Sequence, residues 1–320
     1  MSETNLPNFP EFRELEIEDR EILKASLDQL PPETADQNFT SLFMWRHNYD
    51  VKISQLNGTF CLYCTPPLEG EFFFLPVGEE RVLESAEACF TFLKEQDKQP
   101  LIGRASETFV KRYFADRARF SAREDRDSSE YVYLTEHLIN LSGRSYHGQR
   151  NHIRKFKQMY PNFSLELIGP ANVPECLELA EEWFATKWDG LLERPGINPE
   201  ALAYQQTLME DERVAIQELF SHFRELQLTG LAIRVDGRIR AFSVGEPLNK
   251  DTVVIHLEKA DHAYRGLSQF ICQAFCEHVW ADYTFINREE DLGFDGLRRA
   301  KLALGPHHLA QKYSVTWACL

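Results

Sequence analysis

Apolar residues recur along this chain in two rhythms, one near 3.6 residues and one near 2, and the switches between them lay out its elements. From Glu18 to Gln29 the spacing of Ile22, Leu23 and Leu27 predicts a helix. DVKISQLNGTFCLYC then alternates as a hairpin turning at Asn57-Gly58, a dipeptide that tolerates the positive φ of a two-residue turn. Residues 72–77 predict a short buried strand, 80–96 an amphipathic helix, PLIGRA a strand, ETFVKRYFA a short helix, and 129–136 a further strand.

A second series begins after Pro161. FSLELIG reads as a strand, VPECLELAEEWFATK as a helix, and 199–226 as a long helical stretch. LTGLAIRVDGRIRAFSVGEPL is a hairpin turning at Asp236-Gly237, and TVVIHLEKA a strand. A helix opened by Gly266 follows, then the strand YTFINRE, the helix DGLRRAKLAL and a final strand over 311–320. Both halves run helix, hairpin, strand, helix, strand, helix, strand. The repeat is one of order, since identity between the halves is not visible. These patterns predict a mixed α/β (α+β) chain of two domains, 1–140 and 162–320, joined by a helix over 141–161.

Charge sharpens that division. Residues 1–130 carry a net −10 and residues 166–320 a net −9, whereas 131–165 carry +4. Between His137 and Leu165 there is no Asp or Glu, while Arg144, Arg150, Arg154, Lys155 and Lys157 all fall there. On a helical wheel Tyr146, Ile153, Phe156 and Tyr160 share one face, and His147, Arg150, Arg154 and Lys157 share another. Ser145 suits the N-cap and Pro161 stops the helix. The apolar face is expected to dock between the domains. The basic face has two readings: ion pairs with the acidic bodies on either side, or a wall for the phosphates of a ligand.

Composition bounds the class. A hydrophobic share of 43% and an aromatic share of 12% suffice for packed cores. The formal charge of −15 argues against nonspecific coating of DNA. No run of about 18 apolar residues is present, so no transmembrane segment is expected. Seven cysteines and an N-terminus without a basic start or an apolar stretch point to the cytoplasm. Cys61 and Cys64 point to opposite faces of a strand, with no second Cys/His pair at zinc-ribbon distance, so no metal is expected.

Two stretches, YLTEHLINLSGRSYHGQRNHIRKFKQMYP and EKADHAYRGLSQFICQAF…INREEDLGFDGLRRAKLALGP, with FTSLFMWRHNYDVKI in the first half, carry a closer likeness. The chain resembles an uncharacterised bacterial family related to the C-terminal domain of phosphatidylglycerol lysyltransferases. Those proteins resemble tandem GNAT acyltransferase folds and, more distantly, the Fem-type peptidyltransferases that draw amino acids from aminoacyl-tRNA. The resemblance implies two GNAT-like domains and a soluble acyl- or aminoacyltransferase using acyl-CoA or aminoacyl-tRNA. The alternative is a non-catalytic ligand-binding protein that keeps the fold.

In GNAT enzymes the carrier's pyrophosphate rests at a helix N-terminus, where unpaired amides and the helix dipole favour an anion. The matching turn here is Arg265-Gly266-Leu267, and Gly266 either admits a phosphate or simply opens the helix. The corresponding turn of the first half, Val77-Gly78-Glu79-Glu80, is acidic and repels phosphate, which marks that half as a degenerate copy. For the chemistry, Glu258 is the candidate base, expected to share a strand face with His256, and Tyr264 the candidate acid. Glu289, with Glu290 and Asp291, follows the next strand, expected to lie parallel, and crowding of carboxylates raises their pKa values. Asn287 and Lys301 match the family pattern as substrate-binding residues, together with Arg150, Arg154 and Lys157. Lys301 and Arg298 either reach the cleft or lie on the wet face of a short helix.

Overall fold

The computed structural model describes residues 6–27, 31–67, 70–116, 118–193, 196 and 198–318. In chain order the elements are β1 (Arg13–Glu14), α1 (Arg20–Leu27), α2 (Phe39–Met44), α3 (Arg46–Tyr49), β2 (Lys52–Leu56), β3 (Thr59–Cys64) and β4 (Phe72–Phe73). Then come α4 (Val82–Glu95), β5 (Leu101–Ser106), α5 (Glu107–Tyr113), β6 (Phe120–Leu134), α6 (Thr135–Asn140), α7 (His147–Met159) and β7 (Ser164–Leu167). The remainder are α8 (Val173–Leu192), α9 (Pro199–Ser221), β8 (Thr229–Val235), β9 (Arg238–Pro247), β10 (Thr252–Ala260), α10 (Leu267–His278), β11 (Phe285–Asn287), α11 (Asp295–Ala303) and β12 (His308–Trp317). Residues 28–29 of the first expected helix and 319–320 of the last expected strand lie outside the described residues.

The chain divides into two compact units. The first comprises Met1–Tyr131, Glu289–Arg299 and His308–Leu320, and the second Val132–Arg288 and Ala300–His307. A cut at residue 140 therefore does not describe them. The strand expected to finish the second half, β12, instead pairs antiparallel with β5 of the first unit.

In the first unit the strand order is β1-β2-β3-β4-β5-β12-β6. The β2–β3 hairpin turns where expected, with Asn57 at φ 53° and Gly58 at φ 79°. Only Phe72 and Phe73 of the expected 72–77 strand form β4, which runs parallel to β5 through Phe73 and Ile102. Beyond that pair each strand holds only to its neighbour on the other side. Phe74 and Val77 bond back to Leu62 and Phe60 of β3, while Ala105 and Ser106 pair with β12. Phe73, Phe90, Phe114 and Phe120 are buried in the core between sheet and α4. Each aromatic side chain withdrawn from water contributes about 1.5–3 kcal/mol before the loss of its freedom is counted.

The second unit orders its strands β6-β11-β10-β9-β8-β7. Its hairpin turns at Asp236 (φ 50°) and Gly237 (φ 82°). Strands β10 and β11 are parallel, pairing Thr252, Val253 and Val254 with Phe285, Ile286 and Asn287. β11 ends there, but β10 runs on to Ala260 against β9 alone. Parallel strands that part at one end leave an opening at their C-terminal ends, the usual place for a ligand in an α/β sheet. The basic segment forms a helix, α7, but a shorter one than the expected 141–161: it begins after Tyr146 rather than Ser145, and buries Ile153 and Phe156 within the second unit. Its apolar face packs within the second unit, where Phe156 contacts Phe270 of α10 at 5.5 Å between ring centroids.

Candidate active site

Past the last paired residues of β10 and β11, a bulge interrupts the register of β10 between Ile255 and Leu257. The extra residue is His256, and it moves the side chains beyond it to the other face. Glu258 then lies opposite Ser243, and Lys259 opposite Phe242. His256 turns to Glu246, its Nε2 3.1 Å from Glu246 Oε1, on the face that Phe242 and Lys259 share. His256 and Glu258 were expected on one face; the bulge separates them.

On the α8–α9 face, Lys259 is buried, donates to Glu212 at 2.6 Å, and lies 3.5 Å from the centroid of Trp183. Burial pulls its pKa down from the ordinary value, against the pull of Glu212.

On the other face stands Glu258. Arg288 Nη2 donates to its Oε1 at 2.8 Å, and the two side chains are only 16% and 14% exposed. Oε2 of Glu258 is buried and has no hydrogen-bond partner among the described residues. A buried acceptor left unpaired destabilises by about 1–3 kcal/mol, so such an oxygen is a place where a substrate donor belongs. Burial pushes the Glu258 carboxyl up from its ordinary value, against the opposing fields of Arg288 and Lys301. Burial also disfavours the Arg288 charge, but the thiols of Cys272 and Cys276, the Glu258 carboxylate and the Tyr133 hydroxyl outweigh it.

The residue after β11 is itself held in place. Lys301 Nζ donates to the Arg288 carbonyl at 2.5 Å, and Tyr133 Oη donates to the Lys301 carbonyl at 2.9 Å. Asn287 is fully buried at the last paired position of β11. The structure therefore brings Glu258, Arg288 and Lys301 together, whereas Asn287, paired with Val254 opposite Glu246, falls on the other face of the sheet. Arg288 was not singled out from the sequence, although it stands inside the Asn-Arg-Glu-Glu-Asp stretch that carried the resemblance.

Other candidates sit elsewhere. Glu289 (φ 56°) belongs to the first unit and accepts the Tyr131 amide at its carbonyl, 3.1 Å away. Glu290 lies 3.6 Å from Lys312. Asp291 is fully buried and binds Arg298 through both oxygens, at 2.7 and 2.8 Å. Burial would raise its pKa, but the bonds from Arg298, Tyr131 and the Gly293 amide hold it well below the usual carboxylate range. Tyr264 packs on Tyr160 at 4.8 Å, with the Arg240 guanidinium 5.3 Å over its ring. Arg265 is exposed and Leu267 fully buried. Gly266 (φ 95°) touches α7: a Cβ there would lie 2.2 Å from the His152 carbonyl oxygen. Its missing side chain makes room for that carbonyl, which gives the glycine a packing reason.

On α7, Arg150 donates to the carbonyls of Leu141 and, at 2.8 Å, Gly143, capping the end of α6. Arg154 bonds Asn151 at 2.8 Å, and Lys157 lies 4.4 Å from the centroid of Phe270. These three line an open depression of about 350 Å³ with Ile153, Gln158 and Gln273. Among the described residues no carboxylate lies within 4.0 Å of Arg144, Arg150, Arg154, Lys155 or Lys157. The ion-paired reading of the basic face is not what the described residues display.

Two units of this order, each with parallel strands parting beside a helix, define the tandem acyltransferase-like class of fold. The chain matches the family described as phosphatidylglycerol lysyltransferase, C-terminal, over residues 28–316, and it belongs to that family. A conserved protein of unknown function from Bacteroides thetaiotaomicron superposes with a TM-score of 0.82 at 27% identity, covering 96% of this chain and 99% of that one. The C-terminal domain of a putative lysylphosphatidylglycerol synthetase from Agrobacterium fabrum superposes at 0.62 with 16% identity, covering 93% and 91%. L-PGS from Bacillus licheniformis does so at 0.61 with 13% identity and the same coverage. These last two share the fold. An uncharacterised protein of Mycoplasmoides gallisepticum is 27% identical over 192 residues, which span 60% of this chain and 57% of that protein's length. Among the described residues no helix is long and apolar enough to cross a membrane, and no three His, Cys, Asp or Glu are grouped to hold a metal.

Proposed function

We propose that the second unit transfers an acyl or aminoacyl group from a carrier to an amine or hydroxyl. The observation that carries this is the unpaired Oε2 of Glu258, buried where β10 and β11 part and backed by Arg288. Oε2 accepts the acceptor's proton as its nitrogen or oxygen bonds the carbonyl carbon. The bond from that carbon to the carrier oxygen or sulfur then breaks, and the leaving atom takes the proton that Glu258 accepted. Arg288 and Lys301 supply positive field for the charge that develops on the carbonyl oxygen. Lys301 is the substrate-binding residue of this reading.

Between the two carriers, aminoacyl-tRNA is favoured. A pyrophosphate placed beside Gly266 would meet the partial negative charge of the His152 carbonyl. Arg154 and Lys157, which have no carboxylate partner among the described residues, offer phosphates an alternative seat on α7. Such donors are cytoplasmic, and the six described cysteines are free thiols, as a reducing compartment requires.

The test is incubation with charged tRNA, or with acyl-CoA, and a panel of amine and hydroxyl acceptors, followed by product mass. Transfer that falls about 100-fold or more in Glu258→Gln supports the reading. No transfer with any donor, while ligands still bind, would favour a non-catalytic binding protein with the same fold.

A further inference from the structure

The first unit repeats the parting of parallel strands, and a narrow slot of about 40 Å³ lies between them. Leu62, Phe74, Val77, Val82, Ala105 and Phe109 form its apolar wall. A bulge shapes the polar part. Opposite β12, β5 carries Gly103 and Arg104 where β12 offers the single residue Ser314. Arg104 adopts φ 55°, which a non-glycine residue holds only when its surroundings impose it. Its guanidinium donates to Tyr49 Oη at 2.7 Å and lies 3.5 Å from Asp36.

Most polar atoms at the slot are already engaged. Asp36 also pairs with Lys312, which Glu290 faces at 3.6 Å, so two cations meet two carboxylates. Gln37 accepts the amides of Glu33 and Thr34 and donates to Ser106. Tyr113 differs: its Oη is buried and has no hydrogen-bond partner among the described residues. It is a hydroxyl beside an apolar slot, in a neighbourhood whose charges already cancel.

We propose that this slot is a second ligand site, which takes the end of a short neutral aliphatic group carrying one hydrogen-bonding oxygen, an alcohol, amide or ester-linked acyl. The space holds about three water-sized positions, which limits the group to roughly three to five heavy atoms. The apolar wall selects aliphatic carbon, and the balanced pair Arg104–Asp36 excludes a charged head. Tyr113 Oη bonds the oxygen. This gives the first unit a ligand of its own, although its acidic Glu79-Glu80 turn is unsuited to a phosphate carrier. It is independent of the transfer assigned to the second unit.

The test uses n-propanol and propionamide as probes, with propionate and n-propylammonium as charged counterparts. Binding to the full chain is followed by saturation-transfer NMR, and the site by a crystal structure at the same probe concentration. Both neutral probes are expected to bind saturably in the slot, and the charged ones at least tenfold more weakly. Tyr113→Phe should fold normally, since it removes an unbonded hydroxyl, and should weaken propionamide about fivefold, the worth of one hydrogen bond. Ala105→Val should fill the slot and abolish binding. If that variant does not fold, the Tyr113→Phe comparison still decides. Water alone in the slot, equal binding of propionate, or unchanged affinity in Tyr113→Phe would overturn the proposal.

Discussion

Glu130 is fully buried in β6, and replacing it with Gln should abolish a fall in stability as pH rises from about 4.5 to about 7. Its oxygens accept the Ala35 amide at 2.9 and 3.0 Å, and Oε1 lies 2.6 Å from Lys312 Nζ. Burial pushes its pKa up to about 7; Lys312 pulls it down, and Asp36 and Glu290 push it further up. Lys312 has the converse balance. Burial lowers its pKa, but Asp36, Glu130 and Glu290 outweigh that, with Arg104 opposing them, so it remains a cation. In the unfolded chain the Glu130 carboxyl titrates near its ordinary value of 4.5. Between the two values the folded state holds a proton that the unfolded state has released. Stability is therefore full below about 4.5 and is lost as pH rises through about 7, by about 3 kcal/mol. Gln resembles the protonated side chain in shape and charge. At pH 5 wild type and Glu130→Gln should agree within about 1 kcal/mol, and at pH 8 the variant should be more stable by up to about 3 kcal/mol. Native-state hydrogen exchange of the β12 amides and of β6 amides up to Tyr131, compared between the two proteins at each pH, reads the first unit alone. Parallel stability profiles from pH 5 to 8, or a variant less stable at pH 8, would refute the reasoning.

Three other outcomes can be checked. Arg288→Ala leaves the Glu258 carboxylate buried without its cation and should lower stability by about 3–5 kcal/mol, whereas adding Glu258→Gln should recover part of that, read from denaturant midpoints. Gly266→Ala places a Cβ 2.2 Å from the His152 carbonyl at φ 95° and should destabilise by about 2–4 kcal/mol in a thermal melt. Arg154→Glu with Lys157→Glu should leave the melting temperature within about 2 °C, because neither side chain has a carboxylate partner among the described residues. The same pair should weaken tRNA binding more than tenfold at low salt, and the difference should shrink as salt is raised.

The elements with strong periodicity were legible in the sequence for a simple reason: an amphipathic face or a turn dipeptide is a local signal. The hairpins at Asn57-Gly58 and Asp236-Gly237 and the helices α4, α7 and α10 belong to that class. Features set by distant partners were not legible. β12 follows a second-half helix in sequence but pairs with β5, because pairing is chosen by the sheet and not by chain order. β6 begins at Phe120, nine residues before the expected start, since its charged first half hides the alternation. The bulge at His256 is one inserted residue in an otherwise regular alternation, and it alone separates His256 from Glu258. Arg288 escaped notice because an arginine after a strand reads as a solvated end; only the fold reveals the Glu258 it meets.

The most direct test of the central claim is single-turnover transfer from aminoacyl-tRNA at saturating enzyme, comparing wild type with Glu258→Gln. The oxygen left unpaired in the fold is then the only proton acceptor removed. At a temperature where both proteins are folded, transfer should fall about 100-fold or more in the variant while tRNA affinity holds. Transfer at the wild-type rate by Glu258→Gln would contradict it.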